Sequence, residues 1–124
     1  MTEIQPHTLL TEEIGTDRAI IMGDPARADV AAGMLENVKF LNFNREYKTF
    51  LGDCKGKKIL IMSVGIGAPS AGIGVEELHN VGVKFVIRVG SAGAYQKNIK
   101  IGDLIIAEGA VRDDGLSKKY VPEI

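Results

Sequence analysis

Short apolar runs that stop at a glycine constrain this chain most: "RAIIMG" (18–23), "KILIMSVG" (58–65) and "KFVIRVG" (84–90). Each is too short for a typical helix and is patterned as a strand buried on both faces. Helical patterns follow the first two. "DPARADVAAGMLENV" (24–38) places Asp24 as N-cap and Pro25 at the first helical position, with Val30, Met34 and Leu35 recurring at helical spacing. "SAGIGVEELHNVG" (70–82) is a second helix that Gly82 ends. Between them "KFLNF" and "YKTFLGDC" read as strands, with a turn at Gly56. "AYQKNIKIG" is a loop, "DLIIAEGAV" (103–111) a last strand, and the remainder polar and turn-rich. The order strand, helix, three strands, helix, two strands predicts an α/β layered domain with a mixed sheet.

Its 124 residues suffice for one core. Fifteen Lys and Arg against sixteen Asp and Glu leave no basic excess for nucleic acid or an anionic membrane. Any cationic site must therefore be a local gathering of arginines. Cys54 is the single cysteine, which excludes an intrachain disulfide and fits a reducing compartment. The first fifteen residues lack a signal-peptide core, and no apolar stretch approaches the roughly 18 residues of a membrane span. The expectation is a cytoplasmic protein.

Arg88 interrupts the third apolar run between Ile87 and Val89. A guanidinium buried on both faces must meet an anion or carry a heavy desolvation cost. Two partners are open. One is a core carboxylate, Glu76 or Glu77. The other is a ligand at the carboxyl end of the strand, where open α/β sheets bind ligands and where Gly90, Ser91 and Gly93 follow. "MGDPAR" supplies a second anion signal: a strand end, an N-cap and a helix start present free N–H groups, with Arg27 on the first turn. A capped helix with a solvated arginine explains the same residues. "VGIGAPSAGIGV" is glycine-rich between a strand and a helix yet fits neither of two nucleotide fingerprints. Ser70 stands where the dinucleotide pattern needs glycine, and Ile73 stands where the phosphate loop needs lysine. Two arginines at two strand ends, beside glycines and a hydroxyl, suit a small oxyanion such as phosphate. Arg45 in "NREYK" is either a further candidate or a solvated loop residue.

"GDPAR", "NREYKT", "GIGAPS" and "RVGSAGA", in this order and spacing, resemble the nucleoside phosphorylases that include uridine phosphorylase and the hexameric purine nucleoside phosphorylases. The resemblance runs from Thr16 onward. "AVRDDGLSKKYVP" is closer to the uridine branch, and "GSAGA" is closer to the purine enzymes. It implies a three-layer αβα sandwich with a mixed central sheet, of which residues 1–124 form the incomplete N-terminal half of a single domain. It implies phosphorolysis of a nucleoside to free base and ribose 1-phosphate, with phosphate as co-substrate and no required cofactor. Phosphate would be held by Gly23, Arg27, Arg88 and Ser91, and Arg45 would reach a neighbouring subunit's phosphate. His7 would reach that neighbour's ribose, and positions matching Glu46, Ile66 and Ser70 would hold a monovalent cation. The resemblance further implies a homo-oligomer, a dimer or a hexamer built as a trimer of dimers, with no nucleic-acid or membrane partner. The base pocket and the glutamate that grips the ribose hydroxyls belong to the family's second half. A non-catalytic anion-binding or assembly module is the competing class. Water-using nucleosidases, which have no need of phosphate arginines, fit less well.

Overall fold

The computed structural model describes residues 3–122. After a 3-10 turn at Glu12–Ile14, strand β1 (Arg18–Met22) leads into helix α1 (Pro25–Ala32). Strands β2 (Glu36–Asn44), β3 (Tyr47–Cys54) and β4 (Lys57–Ser63) follow as an antiparallel meander. Helix α2 (Ala68–Asn80), strand β5 (Phe85–Arg88) and the short helix α3 (Ser117–Tyr120) complete the described elements. The sheet is five-stranded, in the order β2-β3-β4-β1-β5, and β1 lies parallel to both β4 and β5. This is the mixed α/β sheet that the order of patterns predicts.

Side chains that alternate along the central strands build two cores, one on each face. Ala19 and Ile21 of β1, Leu60 and Met62 of β4, and Tyr47 of β3 pack with Leu78 of α2 and with Leu10 and Ile14 of the N-terminal segment. Met22 and Ile61, with Ile20, Ile59 and Phe50, pack on Ala28 and Ala32 of α1. The helices therefore cover opposite faces and the sheet is the middle of three layers. A fully buried leucine or isoleucine contributes about 1.5–3 kcal/mol, so β1 and β4 anchor the molecule.

The structure departs from the sequence expectations in four places. Helix α1 ends at Ala32, and Glu36–Val38, expected as helix, begin β2. Its buried face is Ala28 and Ala32, whereas Val30 and Met34 face outward at 61% and 78% exposure. Small alanines let the helix lie close to the sheet, and Leu35 covers the gap at Gly52, where a Cβ would fall 2.9 Å from Leu35 Cβ. Residues 103–111 form no strand. No strand lies beside them to supply ladder partners among the described residues, and Leu104 and Ile106 are exposed. Finally, β5 is an edge strand rather than a central one, and all four of its residues are exposed. Neither core includes it, because only β1 lies beside it and no helix covers it among the described residues. The penalty for burying Arg88 therefore does not arise here.

Candidate functional site

The carboxyl ends of the parallel strands β4, β1 and β5 meet at one edge of the sheet, and the helices after β1 and β4 leave on opposite faces. That arrangement opens a crevice where open α/β sheets take ligands. Gly23 lies at its centre, directly after β1. Asp24 caps α1 as its sequence position predicts, accepting from the Ala26 N–H at 2.8 Å, and Pro25 begins the helix. The helix N-terminus is thereby held against the strand end.

Arg27 and Arg88 converge here. A Cβ built on Gly23 would lie 3.6 Å from Nη2 of Arg27 and 4.0 Å from Nη2 of Arg88. The same point is 3.1 Å from the carbonyl oxygen of Gly65, so a side chain there would press on that backbone oxygen. The register explains the pairing, since Arg88 stands opposite Ile21 on β1, one residue before Met22 and the turn that carries Arg27. Neither guanidinium has a carboxylate partner among the described residues. The core-carboxylate alternative for Arg88 is not observed. Glu77 binds the N-terminal segment, and Glu76 lines a groove with Tyr120. Ser91 follows β5 on the same edge and is exposed.

The second group of candidates gathers at the tip of the β2–β3 hairpin. Asn44 pairs with Tyr47, leaving Arg45 and Glu46 as the turn. Arg45 adopts φ 53°, in the left-handed region, and its side chain is exposed. Glu46 turns inward: its Oε1 accepts from the Ser70 hydroxyl, and its backbone oxygen accepts from Ser63 Oγ at 2.5 Å. The Ser70 hydroxyl beside it, its own backbone N–H, and the charge of Arg45 together hold the Glu46 carboxyl below its ordinary pKa, against a smaller opposing effect of burial. Ser70 Oγ also lies 2.6 Å from the Val64 carbonyl oxygen. With one hydroxyl proton facing two acceptors, three oxygens lie close together here. Two of the three expected cation positions, Glu46 and Ser70, thus meet, whereas the Ile66 side chain is 98% exposed and turned away from the core.

His7 is fixed rather than mobile, which composition alone did not signal. Its backbone N–H and Nδ1 both engage Glu77, with Nδ1 2.6 Å from Oε1, and its carbonyl oxygen accepts from Asn44 Nδ2 at 2.8 Å. Glu77 is 5% exposed, and its Oε2 also takes the Thr8 N–H at 2.7 Å. Burial raises the Glu77 pKa, but the bonds from Thr8 and His7 outweigh it and the net shift is downward. Sequence reasoning missed this role of Glu77. The partners are 70 residues apart, and no local pattern joins a leader histidine to a mid-helix acid.

The sequence profile of the phosphorylase superfamily matches residues 17–124. The chain is 43% identical over 116 residues to guanosine phosphorylase of Halorubrum lacusprofundi, covering 94% of this chain and 48% of that protein. It is 45% identical over 108 residues to uridine phosphorylase of Haemophilus influenzae, covering 87% of this chain and 43% of the relative. A crystal structure of uridine phosphorylase from Vibrio fischeri superposes with a TM-score of 0.91 at 50% identity, over 98% of this chain and 50% of that one. Purine nucleoside phosphorylase from Toxoplasma gondii gives 0.68 at 41% identity, over 71% and 36% of the two chains. The chain thus spans about half the length of the relatives it matches. On this profile match and these identities, the chain belongs to the phosphorylase superfamily.

Proposed function

We propose that this chain carries the phosphate side of a nucleoside phosphorylase, leaning to uridine, and forms the N-terminal half of that enzyme's single domain. The observation that carries the reading is the convergence of Arg27 and Arg88 on Gly23 with no carboxylate partner for either among the described residues. Two like charges brought together at a helix N-terminus favour an anion in their midst. In the reaction, a phosphate oxygen bonds to the ribose anomeric carbon as the bond to the base nitrogen breaks. The base departs with the bonding electrons. Positive charge develops on the sugar, so a fixed anion beneath it stabilises the transition state. Holding that anion also removes the entropy of a three-body encounter.

Gly23, Arg27, Arg88 and Ser91 take the phosphate in this reading. Arg45 serves a neighbouring subunit's phosphate and His7 its ribose, which requires a homo-oligomer, a dimer or a trimer of dimers. The crowded oxygens of Glu46 and Ser70 suit a hard monovalent cation, which would supply charge balance at the subunit contact. No helix among the described residues is long and apolar enough to cross a membrane.

Titrating inorganic phosphate into the 124-residue chain, followed by calorimetry or amide shifts, tests the reading. Phosphate should bind at the Gly23 edge. Arg27→Ala or Arg88→Ala should each weaken it about tenfold, the lower end of what hydrogen bonds to a charged group contribute, because both side chains are exposed. Phosphate affinity unchanged from the wild type in both variants would remove the site.

A further inference from the structure

We propose that Glu77 is a positioning residue for His7: it holds the imidazole in the tautomer with the proton on Nδ1, leaving Nε2 as an acceptor for a sugar hydroxyl. The inference deepens the ribose assignment of His7 above and rests on it. The geometry around Glu77 supplies the reason. Its carboxylate faces three N–H groups, the Thr8 N–H on Oε2, the His7 N–H shared between both oxygens, and the His7 ring nitrogen on Oε1. An ionised carboxylate can only accept, so Nδ1 must be the donor in this contact. Which nitrogen of a histidine carries the proton is set by the bond the other one makes. In the neutral ring the remaining lone pair then belongs to Nε2.

That nitrogen has no protein partner among the described residues, and the His7 side chain is 37% exposed. The ring opens on a shallow groove of ≈ 370 Å³ bounded by Pro69, Ile73, Leu116 and Tyr120. The backbone holds the ring in place as well: Asn44 takes the His7 carbonyl, and Asn80 Nδ2 donates to Gln5 Oε1 at 2.9 Å two residues earlier. An acceptor held this rigidly selects for an O–H donor, which a ribose 5′-hydroxyl provides and a 5′-deoxy sugar does not.

The ring-nitrogen shifts of the 124-residue chain, labelled at histidine and held where the imidazole is neutral, read the tautomer directly. The chain has two histidines, and exposed His79 serves as the internal reference. His7 should show a protonated Nδ1 and a bare Nε2, while His79 shows the opposite preference of an unconstrained ring. Glu77→Gln has one acceptor oxygen for three N–H groups, so His7 should move towards the His79 pattern while the amide spectrum of the core stays in place. In the complete phosphorylase proposed above, with phosphate present, uridine should shift Nε2 of His7 and 5′-deoxyuridine should not, and Glu77→Gln should weaken the uridine effect about tenfold. Finding Nε2 protonated in the wild-type chain would overturn the role of Glu77. Finding Nδ1 protonated, with identical responses to uridine and 5′-deoxyuridine, would overturn the ribose assignment instead.

Discussion

At Gly65, backbone conformation and packing both exclude a side chain, and the consequence of adding one is calculable. Its φ of +67° lies in the left-handed region, where an alanine costs about 1 kcal/mol relative to glycine. A Cβ there would also fall 2.8 Å from Cγ and 2.9 Å from Cβ of Glu46. Those atoms adjoin the hairpin backbone, so they cannot swing aside as the end of a long side chain could. Overpacking of this kind costs about 1–3 kcal/mol. Gly65→Ala should therefore lose about 2–4 kcal/mol. With a urea m-value of about 2 kcal/mol/M, the midpoint falls by about 1–2 M. Gly56→Ala isolates the backbone contribution, because Gly56 has φ +74° and open space where its Cβ would stand. That variant should lose only about 1 kcal/mol. Equilibrium urea unfolding of both proteins decides the matter. If Gly65→Ala is no worse than Gly56→Ala, the tight seat of Glu46 against the β4–α2 turn is wrong.

Acid should destabilise the fold through Glu77. Its lowered pKa means that the unfolded chain binds its proton first, so this contribution is complete above the ordinary carboxylate range and disappears as pH falls through the lowered native value. Urea midpoints measured against pH should slope less below neutrality in Glu77→Gln than in the wild type, and equal slopes would refute the assignment. Gly72→Ala places a Cβ 2.7 Å from Leu116 Cδ2, the movable end of a side chain, so it should cost under about 1 kcal/mol yet release α3 from α2. Faster amide exchange confined to 116–120 would be the sign, and unchanged protection there would count against the contact. The 124-residue chain alone should release negligible ribose 1-phosphate from uridine or inosine. Groups that grip the ribose and stabilise the leaving base are worth several kcal/mol each, and the resemblance places them outside these residues. Robust turnover would show that they lie within.

Much of the fold was legible because the central strands obey the simplest rules. β1 and β4 are continuous apolar runs, and a strand with helices on both sides needs apolar residues at every position. The cap at Asp24 and the turn at Gly56 were equally visible, since both depend on one or two neighbouring residues. What failed depended on neighbours that the pattern cannot specify. β5 and 103–111 have strand composition, but composition does not say whether anything covers a strand or lies beside it. Helix α1 was overextended because Met34 and Leu35 matched its period, although β2 takes over at Glu36. For the site, glycine next to a strand end announced a close approach, and Arg27 and Arg88 do approach Gly23. Arg88 was singled out for the wrong reason, as a buried charge; its convergence with Arg27 is what gives it meaning. Glu77 had no local signature at all.

Two separate constructions meet in this chain, and Gly65 is the joint between them. On one side its carbonyl oxygen backs Gly23, where Arg27 from the start of α1 and Arg88 from the end of β5 approach each other. On the other its missing side chain admits Glu46, which is tied to Ser70 and, through its own carbonyl, to fully buried Ser63. Those ties pin the hairpin from within, so Arg45 is free to project from the turn. The neighbouring Asn44 at the same tip holds the His7 backbone. Displacing the tip would thus move Arg45 and pull on His7, which Glu77 of α2 also holds, while leaving Arg27 on α1 and Arg88 on β5 in place. In the proposed enzyme, the first pair serves a neighbouring subunit and the second pair serves this one. Keeping the two pairs on different elements lets the subunit contact adjust without disturbing the charges that orient the phosphate.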